Sequence, residues 1–227
     1  MPGRTFTKAE LGLCRGAQAP DLVGHGCKLL FVGINPGLWT AMTGWHFAHP
    51  SNRFYPALRA AGVIDFLPDI APTTPAVRLP DRGRVSDRPE AAAGAAGRLP
   101  TRRGAGLDAG PAEAQRRSLL DAGIGLTNLV GRATARAAEL SAAELAEGAA
   151  CLTDLVDRIA PSVVAVAGVT AYRVAFGRPR ASLGRQPEGL AGSALWVVPN
   201  PSGLNAHETI DTLASWYREA ADAAGLG

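Results

Sequence analysis

Cysteine is scarce in this chain of 227 residues: Cys14, Cys27 and Cys151 are widely spaced and form no C-x-x-C pair. An odd, scattered set supports neither a disulfide framework nor a zinc or iron–sulfur site. Lysine is almost missing, at Lys8 and Lys28 alone, so nearly all the positive charge is arginine. No apolar run reaches the roughly 18 residues that a membrane-spanning helix needs. The first residues also lack the basic-then-apolar order of a secretory leader, so a reducing, cytoplasmic setting is expected. There is no G-x-x-x-x-G-K-[ST] phosphate loop, no G-x-G-x-x-G turn and no cluster with metal-ligand spacing. Redox or phosphoryl chemistry on a bound cofactor therefore has little support, and neither a cofactor nor a metal is expected.

What remains is a globular composition, 47% hydrophobic and 19% charged. A formal net charge of +3 with a sequence pI near 9.0 permits a nucleic-acid partner without requiring one. The length fits one domain over residues 1–227. Residues 1–26 read as an N-terminal arm without clear periodicity. Residues 66–112 hold many prolines, repeated Arg-Gly and Ala-Gly pairs, seven arginines from Arg78 to Arg103, and few large apolar side chains. Such a stretch buries too little surface to offset its ordering entropy, so it reads as a flexible insertion.

Lys28–Gly33, Ser162–Gly168 and Ala194–Pro199 are short apolar runs ending in turns, the pattern of buried parallel strands. Ile124–Val130 reads as a strand with its exit loop. Helical spacing covers 52–61, 112–122, 141–159, 169–176 and 207–224, and Ser141 with Glu144 three residues on forms a capping box. Strands alternating with helices predict an α/β three-layer sandwich with a short, mainly parallel central sheet flanked by helices. Ligands of such sheets bind at the carboxyl ends of the strands. Two turns stand there, Gly33-Ile-Asn-Pro-Gly37 and Asn200-Pro-Ser-Gly-Leu-Asn205, and they are expected to meet in one cleft. Each is headed by an asparagine, whose amide can accept from a water and donate to a carbonyl.

Gly33-Ile-Asn-Pro-Gly-Leu38, Thr43-Gly-Trp-His-Phe-Ala-His-Pro-Ser-Asn-Arg-Phe54 and Asn200-Pro-Ser-Gly-Leu-Asn205 resemble the signatures of the mismatch-specific uracil/thymine DNA glycosylases, a branch of the uracil-DNA glycosylase superfamily. Ile124–Val130 and Glu139-Leu-Ser141 resemble further family segments, so the likeness covers about residues 28–65 and 113–220 in family order. It implies a single α/β domain that flips a mispaired base into a pocket and hydrolyses its glycosidic bond. By this resemblance Asn35 holds the attacking water, and Asn200 shapes the site near the sugar and phosphate. Phe47 stacks on the pyrimidine, and Ile34 and Phe47 read its edge through backbone groups. Thr40 approaches C5, where it crowds a thymine methyl and favours uracil. His49 belongs with these substrate-binding positions, and His46 and His49 both orient the loop. Leu204 is the wedge that enters the helix. Ser202, Gly203 and Asn205 meet DNA, and Arg53 either pins the loop or binds phosphate.

The implied partner is double-stranded DNA with a G·U or G·T mismatch, bound by a monomer without cofactor or metal, nucleoid-associated in a bacterium. The chain departs from the family after Leu204, where Ala206-His207 replace a basic residue, and in the 66–112 insertion. Asparagine at position 35 is neutral and can only orient a water, which predicts a slow enzyme unless Asp65 or Asp69 assists. A non-catalytic mismatch- or lesion-binding protein stays open as the alternative. So does a nucleotide-binding hydrolase with similar turns.

Overall fold

This computed structural model describes residues 6–70 and 111–227; the arginine-rich stretch from Arg78 to Arg103 lies outside the described residues. Four short apolar segments build the sheet: β1 (Leu29–Gly33), β2 (Ile124–Asn128), β3 (Val163–Ala167) and, later in the chain, β5 (Ala194–Val198). They pair in parallel in the order β2-β1-β3-β5, and the two-residue β4 (Gly184–Arg185) adds an antiparallel edge to β5. Every residue of β1 and β3 is buried. Runs with no polar alternation are what strands covered on both faces require.

The covering helices divide by face. α3 (Phe54–Ala60), α4 (Pro111–Asp121) and α7 (Ile210–Ala223) bring Phe54, Leu58, Leu119, Leu213 and Tyr217 onto Leu29 and Phe31. α5 (Ala142–Ile159) and α6 (Val169–Ala175) bring Leu145, Leu152, Val156 and Tyr172 onto Leu30 and Val32. The result is the three-layer α/β sandwich that the alternation predicts. Ser141 caps α5 through its hydroxyl and the Glu144 N–H at 3.2 Å, while the Glu144 carboxylate returns to the Ser141 N–H at 2.9 Å.

Some elements escape the periodicity. Thr7 and Glu10 form a capping box at α1 (Lys8–Gly12), inside the N-terminal arm. Five residues are too few to display a 3.6-residue repeat. The arm then runs along the sheet: Gly16 N–H donates to Ala133 O, and Leu22 bridges Leu126. α2 (Leu38–Thr43) lies in the segment read as a loop and starts on Gly37 without any side-chain cap. The last helix begins at Ile210, with Thr209 rather than His207 at its start. Among the described residues no helix is long and apolar enough to cross a membrane.

Candidate active site

A cavity of about 360 Å³ opens at the carboxyl ends of β1, β2 and β5, and both proline-glycine turns line it through Asn35 and Asn200. β3 lies between those strands, and the glycine after it makes the approach possible. At Gly168, φ is +108°, and an added Cβ would stand 3.3 Å from Ile34 Cδ1 and 3.7 Å from Asn200 Cβ. A side chain there would strain the backbone and press on the Ile34 side chain.

Asn35 is half-buried and its amide is anchored at one end. Nδ2 lies 2.8 Å from Thr134 Oγ1, 3.0 Å from Arg132 O and 3.1 Å from Pro36 O. Thr134 Oγ1 spends its own proton on Arg136 O, 2.8 Å away, so toward Asn35 it can only accept. All three neighbours are thus acceptors, which fixes the orientation of the amide: a flip would set an oxygen against three oxygens. The Oδ1 end is left for the cavity, as an acceptor for water.

A second asparagine, Asn128 at the end of β2, is fixed in the same way. His46 Nε2 stands 3.0 Å from the Pro20 carbonyl, which can only accept, so Nε2 carries the ring proton. Burial holds the His46 pKa below its ordinary 6.5, against the raising influence of the Pro20 carbonyl and Asp21; Arg116 adds to the lowering. The neutral ring therefore offers Nδ1 as an acceptor, and Asn128 Nδ2 donates to it at 3.1 Å. Asn128 also lines the cavity and keeps Oδ1 for a ligand.

Phe47 is the aromatic member of the site. Its φ is +57°, a left-handed value that a bulky residue adopts only when its surroundings impose it. One ring face stacks on Phe54, with centroids 4.0 Å apart and planes 21° apart. Phe54 is in turn held edge-on by Phe31 and tilted against Tyr217. Thr40 lines the cavity from α2 and is almost wholly buried. Ile34 lines it too, while its carbonyl accepts from Val130 N–H. His49 Nδ1 lies 2.9 Å from Ser51 Oγ and 3.2 Å from Ser51 N, bonds that shape the loop.

The second turn is a closed loop with a projecting leucine. Asn200 Oδ1 accepts from Ser202 N at 3.0 Å, and Asn205 Nδ2 donates to Asn200 O at 3.0 Å. Leu204 is 88% exposed at the cavity rim. Arg53 lies beneath with its guanidinium on the carbonyls of Ser202, Asn205 and Glu208. Of its two expected roles, pinning the loop is the one its hydrogen bonds describe. Asp65 and Asp69 are exposed and do not line the cavity, and no carboxylate among the described residues does. Asn128, Thr134 and the exposed rim residue Arg136 are among the lining residues that sequence reasoning missed. Their signal was weak, because Asn128 sits in a segment that reads as an ordinary strand exit and Thr134 lies beyond it, in a stretch with no periodicity. Among the described residues no group of acids, histidines and cysteines could hold a metal.

Fold and site together define an α/β protein with a cavity at the carboxyl ends of a parallel sheet, lined by amides and an aromatic ring. The chain belongs to the uracil DNA glycosylase superfamily, whose family model matches residues 20–222. That membership places it among the DNA glycosylases, hydrolases of base excision repair that act on DNA.

Proposed function

We propose that this chain excises uracil mispaired with guanine from double-stranded DNA, by flipping the base and hydrolysing its glycosidic bond with water. The observation that carries the reading is the common orientation of Asn35 and Asn128, each with its nitrogen tied to protein and its oxygen left for the cavity. Asn128 Oδ1 accepts from the N3–H of uracil or thymine. Cytosine, which has a lone pair at N3, meets oxygen against nitrogen with no proton between, so undamaged G·C pairs are refused. Phe47, backed by Phe54, is the platform on which the flipped ring stacks.

Asn35 Oδ1 accepts from the water that attacks C1′. The water oxygen bonds C1′, the C1′–N1 bond breaks, and its electron pair leaves with uracil, whose proton comes from the attacking water by way of solvent. A neutral amide orients that water but does not remove its proton. The chemistry therefore leans on positioning and on a base pair already weakened by mismatch. Lys8 and Lys28 are the chain's two lysines and neither lines the cavity, which favours water over an amine nucleophile and a monofunctional enzyme. Thr40 narrows the C5 side, so uracil is preferred to thymine. Leu204 fills the gap left by the flipped base, with Ser202, Gly203 and Asn205 beside it and Asn200 toward the sugar.

Base release from otherwise identical duplexes carrying G·U, A·U, G·T and G·C tests this reading. Release is expected in the order G·U, then A·U and G·T, with none from G·C. Tight binding of G·U without release would establish the non-catalytic binder instead.

A further inference from the structure

Arg53 stands where the two halves of the proposed reaction meet. Its backbone N–H donates to Pro201 O at 3.0 Å. Its guanidinium reaches three more carbonyls of the same loop, Ser202 at 2.8 Å, Asn205 at 2.6 Å, and Glu208. Carbonyl oxygens spaced three residues apart do not converge on one point unaided, since their dipoles repel. A planar guanidinium with several donors satisfies them together, and charge-assisted bonds out of bulk water are the stronger kind. On the other side of the loop, a Cβ at Gly203 would lie 2.6 Å from Ser51 Cβ and 2.7 Å from Ser51 O, so the loop is seated on both sides. Leu204, between these anchors, is 88% exposed. The residue after Arg53 is Phe54, on which the Phe47 ring stacks.

We infer that Arg53 is a positioning residue that holds the 201–208 loop ready before DNA arrives, so that Leu204 enters the duplex in register with the Phe47 platform that receives the base. The inference rests on the proposed function. Adjacent residues at the start of α3 brace the wedge and the pocket floor, so extrusion and capture of the base share one rigid support. Arg53 thus acts through Leu204 rather than through a phosphate.

The test is a double-mutant cycle. Arg53→Gln and Arg53→Lys are made with Leu204 present and with Leu204→Ala, and read by single-turnover uracil release from a G·U duplex and by binding to a duplex with a stable abasic-site analogue opposite guanine. With Leu204 present, Arg53→Gln is expected to raise the half-saturating protein concentration about tenfold, the effect of one or two residues that must now be ordered on binding. The rate at saturation should change far less. With Leu204→Ala the same substitution should change little, Arg53→Lys should fall between, and the salt dependence of binding should be unaltered. An equal penalty in both backgrounds, or a salt slope smaller by about one unit, would mean a direct phosphate contact and overturn the inference. So would wild-type behaviour of Arg53→Gln in an active protein. If Arg53→Gln does not fold, Arg53→Lys carries the same comparison. If the wild type neither cleaves nor binds either duplex, the functional reading itself falls, and this inference with it.

Discussion

Thr134 Oγ1 accepts a 2.8 Å hydrogen bond from Asn35 Nδ2 and donates its own to Arg136 O, so this hydroxyl joins the Arg132 and Pro36 carbonyls in turning the Asn35 amide oxygen toward the cavity. Thr134→Val keeps the shape and removes this relay. The catalytic rate is expected to fall about fivefold, the worth of one hydrogen bond of about 1 kcal/mol, with DNA affinity unchanged. Thr134→Ser should restore it. Single-turnover kinetics on a G·U duplex check both variants, and an unaffected rate in Thr134→Val would remove the relay from the mechanism.

Aspartate at position 35 is not a simple improvement in this setting. One carboxylate oxygen would face the Pro36 and Arg132 carbonyls, which have no proton to share, so the protonated acid is favoured in the native state. A carboxyl pKa raised on folding contributes stability at low pH and loses it as pH rises through the ordinary value toward the native one. Asn35→Asp should therefore be less stable relative to wild type at pH 7 than at pH 4, by about 1–3 kcal/mol for the unsatisfied, half-buried carboxylate. Melting curves across that range are the check; parallel curves would contradict the assigned amide orientation.

His46 gives a pH dependence of the opposite sign. Its native pKa is depressed below 6.5 by burial, so below 6.5 the unfolded chain binds a proton that the native one refuses. Stability is full above that value and declines as pH falls through it, by up to about 1.4 kcal/mol per pH unit until the native pKa is reached. Once protonated, His46 Nδ1 becomes a donor and would turn the Asn128 amide over, so the proposed uracil contact is expected to be lost. His46→Phe should flatten the acid-side slope of stability and lower uracil release about tenfold at pH 7.5 through the lost anchor. An identical slope in both proteins would show that another group sets it.

Gly33 tests the pocket floor. An added Cβ would lie 2.5 Å from Asn128 Oδ1 and 3.4 Å from the Phe47 ring, and the Asn128 amide is tethered by His46. Gly33→Ala must displace the amide oxygen proposed to read the base, and misplacement on the order of 1 Å costs about a hundredfold in rate. Loss of release in a normally folded variant is expected. Wild-type activity would show that Asn128 does not contact the base.

The strands were legible in the sequence because burial on both faces leaves an unbroken apolar run, as in Leu29–Val32 and Val163–Ala167. The two turns were legible because proline and glycine punctuate them. The orientation of the asparagines was not. Asn128 takes it from His46, 82 residues away, and Asn35 chiefly from Arg132 and Thr134, 97 and 99 residues away, and no local pattern records such pairings. Arg53 could be named from its motif but not given one role, since its partners are backbone carbonyls about 150 residues on, which any sequence would supply. α1 and α2 were missed because five- and six-residue helices complete too few turns to show a period.

The most direct measurement of the central claim is uracil release from a duplex with one G·U mismatch, comparing wild type with Asn35→Ala under single-turnover conditions. Abasic product is expected from the wild type and at least about a hundredfold less from the variant, with mismatch binding retained in both. Equal release by the two proteins would contradict a water held by Asn35. Binding without release by either would leave this chain a reader of mismatches rather than an enzyme that removes them.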